Sequence, residues 1–408
     1  MTRTLIVSHS HPLLTSGGGE VAAYRQFRQM QAEGDDVIFM GAAFDPARFA
    51  TLFPGRRRLA MVGPDDYCFR AVPMDIYGLE QASVEAEEAL LDILLGFEAD
   101  IYHFHHFWNI GAGVIRRLRK ARPEARMICT LHEFIAICVN DGQFVKRGGN
   151  QLCLESGPVA CALCFPEHRP VDFVIRRQRM LEMLDQFDLL LSPSRFLADR
   201  FAAWGVPPAR LHVIENGLPE AEFPAAEPPP DRSRRFAYFG QATATKGLDG
   251  LIRAARWLAA GEGGDFRLDI FGVTEARFRE FWPEEDLPEA GLSFRGRYKS
   301  EEATRLLRRY GWIVVPSVWW ENSPVVIQEA RQAGTPVIAS DIGGMREKVE
   351  GWGRLFPVGD AEALGRLMGR LSGDDTALAA ACASITPPVS VSDFLTEWRH
   401  LIDAPPRR

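Results

Sequence analysis

The stretch Gly311 to Gly344, GWIVVPSVWWENSPVVIQEARQAGTPVIASDIGG, contains two short apolar runs with helix chemistry between them. Trp312 to Val315 and Pro336 to Ala339 have the length and composition of buried strands. Between them Ser323 is placed to cap free N–H groups, Pro324 suits the first helical position, where no N–H is needed, and Gly334 stops the helix. Glu321 then lies in the loop before the helix and Glu329 inside it, so two carboxylates flank a helix N-terminus. The uncapped N–H groups of Val325 and Val326, with the positive end of the helix dipole, favour a phosphate. The carboxylates can accept hydrogen bonds from hydroxyls, a combination that suits a nucleotide sugar. Such a site sits outside the carboxyl end of a parallel strand, where open α/β sheets bind ligands. A lone E-x7-E is more often two solvated glutamates on an ordinary βαβ unit, so the surrounding sequence has to decide.

Working outward, the same alternation recurs. Thr4 to Val7 is a strand followed by a Gly-rich turn, Gly17-Gly18-Gly19-Glu20, and a helix with Val21, Tyr24, Phe27 and Met30 on one face that closes at Gly34. Glycines there let a backbone approach a ligand. Further strands are expected at Val37 to Met40, Ile101 to Phe104, Met127 to Leu131, Leu189 to Ser192 and Leu211 to Ile214. After a proline- and acid-rich connection they continue at Phe236 to Phe239, Leu268 to Phe271 and Leu292 to Phe294. This is the pattern of parallel sheets covered on both faces. At 408 residues the chain has room for two such domains.

Two segments match a known family closely. E-N-S-P-V-V-I-Q-E-A-x-x-A-G-T-P-V-I-A-S-D-I-G-G, from Glu321, resembles the donor-binding segment of glycosyltransferase family 4, and T-L-H-E-F around His132 resembles that family's T-x-H-D-x, with Glu133 where Asp is usual. The resemblance implies an α/β chain of the GT-B fold, two Rossmann-like doubly wound parallel-sheet domains facing a cleft. Residues 1–216 would be the acceptor-side domain, 217–233 the linker, 234–390 the nucleotide-sugar domain, and 391–408 a helix crossing back. It also implies a retaining transferase that moves a hexose-type sugar from a nucleoside diphosphate to a hydroxyl-bearing acceptor, without a metal in catalysis. Glu329 would hold the ribose hydroxyls and Glu321 the sugar hydroxyls. Asn322, Ser323, Val325, Val326 and Lys246 would hold the phosphates, His132 the sugar, and Gly17 and Gly18 the glycine positions of the family's G-G-x-E. F-G-Q-x-x-x-x-K-G departs from the family's V-G-R-x-x-x-x-K-G, because Gln241 stands where an Arg clamps the pyrophosphate; Arg295 or Arg297 is then expected to supply the charge.

Residues 138–168 break the α/β pattern. They are polar and Gly-rich and hold Cys138, Cys153, Cys161 and Cys164, the last two as C-x2-C, with His168 as a spare ligand. Four thiolates suit a structural zinc or an iron–sulfur cluster; four reduced thiols are the alternative. Some family 4 members carry similar inserts, which places this one on the acceptor side. His103, His105 and His106 form a second dense run, but His103 and His105 share one face of a strand and His106 the other, with no carboxylate spaced nearby, so a strand end lining a cleft is expected rather than a metal.

Composition limits the rest. A net charge of −7 gives no pull toward nucleic acid, seven cysteines argue against a disulfide framework, and no apolar run approaches the roughly 20 residues of a membrane span. The amino terminus lacks a signal peptide's apolar core, so a cytoplasmic address is expected. Arg116, Arg117, Arg119, Lys120 and Arg122, with Arg176, Arg177 and Arg179, offer a basic surface for the inner face of a membrane, with a solvated basic face as the alternative. Two rival functions stand beside the transferase. One is a non-catalytic sugar-nucleotide-binding scaffold, suggested by Gln241, and the other a metal- or redox-sensing protein, suggested by the cysteines.

Overall fold

Apolar runs buried on both faces form the strands of two sheets in a computed structural model that describes residues 2–15, 17–149, 151–220, 229–261, 265–299 and 302–404. The chain divides into two compact units, Met1–Pro219 with Val389–Arg408, and Glu220–Pro388. Residues 221–228, the middle of the expected connection, lie outside the described residues.

The first unit contains β1 (Thr4–Ser8), α1 (Gly18–Glu33), β2 (Val37–Ala43), α2 (Pro46–Leu52), β3 (Leu59–Gly63), β4 (Asp66–Arg70), β5 (Met74–Asp75), β6 (Glu80–Gln81), α3 (Val84–Gly96) and β7 (Ile101–Phe104). It continues with α4 (Ala112–Ala121), β8 (Arg126–Thr130), α5 (Pro158–Cys164), α6 (Pro170–Leu184), β9 (Leu189–Ser192), α7 (Arg195–Trp204) and β10 (Leu211–Val213). Among the described residues eight of these strands form one sheet in the order β10-β9-β8-β7-β1-β2-β4-β3, and β5 and β6 pair separately as an antiparallel ribbon. The second unit contains β11 (Arg235–Phe239), α8 (Leu248–Ala260), β12 (Arg267–Phe271), α9 (Glu275–Phe281), β13 (Leu292–Gly296), α10 (Ala303–Leu307), β14 (Trp312–Val315), α11 (Val325–Gln332), β15 (Val337–Ser340), α12 (Gly343–Val349), β16 (Arg354–Phe356), α13 (Ala361–Leu371) and α14 (Asp375–Ala383). Its strands pair in the order β13-β12-β11-β14-β15-β16, all parallel.

Both sheets reverse direction of growth at their first strand. From β11 the chain builds outward through β12 and β13, then returns to the other side of β11 with β14. From β1 it builds through β2, then returns beside β1 with β7. The loops leaving β11 and β14, and those leaving β1 and β7, therefore diverge to opposite faces and open a crevice at the carboxyl ends of the strands.

Several local expectations need correction. The first sheet is not wholly parallel, because β3 runs antiparallel against β4 at its edge; β3, β4 and the β5–β6 ribbon are not among the expected strands, although Leu59 to Val62 and Tyr67 to Phe69 are short apolar runs. Pro324 occupies the N-cap rather than the first helical position, with ψ at 123°, and no side chain caps α11. An extended Pro324 moves the helix start to Val325, which leaves Ser323 one residue too far back to reach the second or third helical N–H. Its Oγ is buried without a hydrogen-bond partner among the described residues. No described helix is long and apolar enough to cross a membrane.

The carboxyl-terminal helix α15 (Val391–Asp403) belongs to the first unit. Val391, Phe394, Leu395 and Trp398 enter one apolar cluster with Ile6, Phe27, Met30 and Phe39. Trp398 is 2% exposed and stacks near His103, ring centroids 5.8 Å apart. The chain returns over Gly217, where a side chain would meet Val391 Cα at 2.5 Å, and Leu218 exchanges backbone hydrogen bonds with Val389 and Val391. Removing this large buried ring should cost about 3–5 kcal/mol. Trp398→Ala is therefore expected to shift the denaturation midpoint of the first unit strongly and Trp398→Phe less; an unmoved midpoint would show that α15 is not part of that core.

Candidate functional site

In the second unit the loops after β11 and β14 are stitched together at the sheet's switch point. Gly247 has φ of 65°, and any Cβ there would lie 2.0 Å from Pro316 O, so only glycine permits the approach. Val318 N–H donates to Thr245 O at 2.9 Å. Gly344 makes an equally close approach, because a Cβ would lie 1.9 Å from Asn322 O, while its N–H donates to Glu321 O at 2.9 Å. The glycines of K-G and I-G-G thus hold the 316–323 loop from two sides.

That loop positions Glu321, which is 8% exposed. Its Oε1 accepts from Lys246 Nζ at 2.5 Å, Trp319 Nε1 at 2.8 Å and Ser317 Oγ at 2.9 Å. Burial alone would raise this carboxyl, but the Lys246 charge and the three donors outweigh it and hold the group ionised below its ordinary value. Its other oxygen, Oε2, accepts no hydrogen bond from any described residue. Lys246 also lies 5.5 Å from the Trp319 ring centroid. Sequence reasoning assigned Lys246 and Glu321 separate ligand contacts and missed that they pair with each other. Ser317 and Trp319, which orient the carboxylate, were also missed, although W-x-E spacing in a strand-to-helix loop is a usable signal.

The helix of Glu329 follows directly. Val325 and Val326 are its first two residues, with no intrahelical acceptor for their N–H groups, and Asn322 is buried beside them. Glu329 is half-buried on α11, close enough to Tyr298 to help burial push that hydroxyl up to about 12. Gln241 is exposed at the end of β11, and its carbonyl accepts from Tyr238 OH. Of the two cations expected to replace the missing arginine, Arg295 donates to Asp269 Oδ1 at 2.9 Å. Arg297, just past β13 on the same carboxyl edge of the sheet, is exposed and bonded to no described residue.

In the first unit the carboxyl ends of β1, β7 and β8 bring five histidines together. His105 Nδ1 lies 3.2 Å from His132 Nε2, and His105 Nε2 lies 2.8 Å from Gln26 Oε1. His9 and His106 have ring centroids 4.6 Å apart, and His103 bonds Thr130 Oγ1 at 2.8 Å. The expectation that no carboxylate joins the His103, His105 and His106 run is wrong, because Glu133 Oε1 lies 3.0 Å from His106 Nε2; beside the run, Glu20 Oε2 lies 3.7 Å from His9 Nε2. Neither spacing is visible in one segment, because the partners come from different elements. The His132 ring also packs against Gly19, where a Cβ would lie 3.3 Å away, so the Gly-rich start of α1 makes room for it. Gly17 caps α1 and Gly18 opens it, both exposed, and Gly17 N–H is taken by Glu20 Oε1 at 2.7 Å rather than left open for a ligand.

Burial decides the charge state of this cluster. It holds His9 and His106 down to about 4 and His103 to about 3, with His105 and His132 well below the ordinary imidazole value, and neighbouring histidines depress His9, His105 and His132 further. Burial raises Glu133 to about 8. At neutral pH the histidines are neutral and Glu133 is mostly protonated, so the site can exchange hydrogen bonds without carrying a block of positive charge.

The expected basic surface is largely consumed internally. Arg116 pairs with Glu80, Arg117 with Glu88, Arg119 with Asp188 and Arg122 with Glu124. Arg176 is buried and donates to the carbonyls of Tyr77, Ile135 and Ala136, and Arg177 donates to Trp204 O. Lys120 and Arg179 are exposed. Cys138, Cys153, Cys161 and Cys164 are all free thiols lining one cavity. His168 stacks on Tyr77 at 4.1 Å and does not line that cavity. Among the described residues no three His, Cys, Asp or Glu side chains are already gathered to hold a metal ion.

Comparison with known proteins assigns a family model to each unit. Residues 16–222, just over half of the chain, match the model described as Glycosyltransferase Family 4, and residues 219–384 match Glycosyl transferases group 1. Similar proteins include the amylovoran biosynthesis glycosyltransferase AmsK of Erwinia amylovora, 31% identical over 46% of this chain and 48% of the relative. The putative colanic acid biosynthesis glycosyltransferase WcaL of Salmonella typhimurium is 30% identical over 45% and 48%. The chain thus spans about half the length of the curated relatives it matches. Among solved structures, a sucrose-phosphate synthase from Thermosynechococcus elongatus superposes with a TM-score of 0.68 at 18% identity, covering 99% of this chain and 100% of that one. HepE from Anabaena in complex with UDP gives 0.66 at 17% identity, covering 99% and 100%. With one family model on each of two units built on parallel-rich sheets, the chain has the GT-B fold and belongs to glycosyltransferase family 4.

Proposed function

We propose that this chain is a retaining glycosyltransferase that moves a hexose-type sugar from a nucleoside diphosphate to a hydroxyl of a growing glycan or lipid-linked glycan. The observation that carries the proposal is Glu321, a buried ionised carboxylate with one oxygen tied by three donors and the other left for a ligand, directly before a helix N-terminus. That is the arrangement a site needs to read sugar hydroxyls beside a diphosphate. The relatives' names in polysaccharide biosynthesis, and the UDP and UDP-glucose named with HepE, support the substrate class.

The roles follow from position. Glu329 accepts from the ribose hydroxyls, Glu321 Oε2 from a sugar hydroxyl, and Val325 and Val326 N–H donate to the diphosphate. Lys246 uses one proton on Glu321 and has two others for phosphate oxygens, and Arg297 supplies the cation that Gln241 lacks. His132, held neutral, is assigned to the transferred sugar. The sugar C1–O bond to phosphate breaks while the acceptor oxygen bonds C1 on the same face. The acceptor's proton passes to the departing diphosphate oxygen, which balances the reaction and retains configuration. The charge on the leaving diphosphate is met by helix N–H groups and cations, so this scheme calls for no divalent ion. A sugar-nucleotide-binding scaffold is the second reading, favoured by the neutral Gln241. Donor hydrolysis without acceptor separates the two: a chain that binds nucleotide sugar and never cleaves it is the scaffold.

Three outcomes test the roles. Glu329→Ala should weaken free nucleoside diphosphate by about 1.5–3 kcal/mol, the range for charged hydrogen bonds; calorimetry showing unchanged affinity would remove its ribose role. Glu321→Gln should lower turnover while releasing Lys246, so nucleotide affinity should hold or rise; loss of nucleotide binding in the folded variant would reverse the two glutamates. The histidine cluster predicts acid sensitivity. Unfolded histidine titrates near 6.5 and the buried ones near 3 to 4, so the unfolded chain binds more protons between these values. The stability from neutral burial is complete above pH 6.5 and is lost as pH falls toward 4. Glu133 acts oppositely, its contribution being lost as pH rises through about 8, but below pH 6.5 it opposes five histidines alone. The thermal midpoint of the first unit should fall between pH 6.5 and 4, with a shallower slope in His103→Asn; a flat profile would contradict the neutral assignment.

A further inference from the structure

The lobe of residues 138–168 has little core of its own. Helix α5 buries none of its residues, and Leu154, Val159 and Leu163 are exposed, so apolar burial does not offset the entropy of ordering it. What its walls share is sulfur. Cys138 comes from the turn after Ile137, Cys153 follows the bridge between Val145 and Leu152, and Cys161 and Cys164 lie on α5. All four line one cavity of about 260 Å³. A donor already points at one of the sulfurs: Arg147 N–H donates to Cys164 Sγ at 3.0 Å, a contact that orients and stabilises a thiolate ligand. Ser156 Oγ, which donates to Ile137 O, lies 3.4 Å from Cys161 Sγ.

We propose that Cys138, Cys153, Cys161 and Cys164 form a structural zinc site that closes this cavity. Because no three ligands are yet gathered, binding must draw the sulfurs inward across the hollow. Four thiolates make a closed tetrahedral set with no position left for substrate, which is the structural rather than the catalytic kind of site. Each zinc–sulfur bond replaces an S–H bond and releases its proton to solvent, so affinity rises with pH. The ion would tie α5 and the 145–152 bridge to Cys138, in the segment whose Ile135 and Ala136 carbonyls already hold Arg176. It thereby steadies the loop leaving His132. This inference stands whether or not the proposed transfer reaction is correct.

The test is metal analysis of the full chain purified under reducing conditions without chelators, followed by chelator stripping and titration with cobalt(II). One equivalent of zinc and a thiolate-to-cobalt charge-transfer band are expected. Cys161→Ser and Cys138→Ser should lose both signals, and Cys382→Ser, in the other unit, neither. The cobalt titration on the unsubstituted chain stands even if a variant fails to fold. Absence of zinc together with absence of the cobalt band in folded protein would overturn the proposal, leaving four thiols around an apolar hollow, and iron in place of zinc would overturn the choice of metal.

Discussion

The second-unit site depends on backbone segments that meet more closely than any side chain allows. Gly247 against Pro316 O and Gly344 against Asn322 O are contacts of about 2 Å for a hypothetical Cβ, so no substitution fits without moving a loop. Those two approaches bring the loops after β11 and β14 and the start of α12 into one layer. Lys246 and Glu321, 75 positions apart, become an ion pair as a result. The pair explains how a carboxylate can be buried and still ionised: burial pushes it toward the neutral form, and a cation plus two neutral donors on one oxygen overcome that push.

The first unit solves the opposite problem by removing charge. Its histidines stand too close together, and His103, His105 and His106 too deeply buried, to carry protons at neutral pH. Neutral imidazoles can both donate and accept, so they link into chains such as Gln26, His105 and His132. Glu133 joins by becoming an acid rather than a counter-ion. An ionised cluster there would pay a desolvation cost that the two nearby carboxylates could not cover.

The two sites share one architectural cause. Parallel strands need long crossovers, and a sheet that grows in both directions from its first strand leaves diverging loops at that strand's carboxyl edge. β1 and β11 are those first strands, and the functional residues lie just beyond them and the strands beside them. The cysteine lobe stands outside this scheme. It is an insertion after β8 with no sheet to pack on, which is why its order calls for a different source.

How much of this could be read from the chain alone differs by scale. The apolar runs at Trp312 to Val315, Ile101 to Phe104 and Leu189 to Ser192 have strand boundaries identical in the structure, because a strand buried on both faces leaves an unbroken local signature. Helix α11 and its stop at Gly334 were equally local, while its start moved by one residue because ψ of Pro324 is not set by its ring. Glu321, Glu329, Lys246 and His132 were legible as candidates because their types sit beside strand ends and helix starts. Their partners were not: the Lys246 ion pair, Glu133 on His106 and Arg295 on Asp269 all join segments that only the sheet order brings together, whereas Ser317 and Trp319 reach Glu321 within one loop and left a local signal. The edge strand β3 and the internal pairing of the α4 arginines were likewise decided in three dimensions. Sequence by itself determined the elements and the residue types at their ends, since these depend on neighbours along the chain. Tertiary structure decided which charges meet, which are neutralised and which oxygens remain available, because burial and distance have no local code.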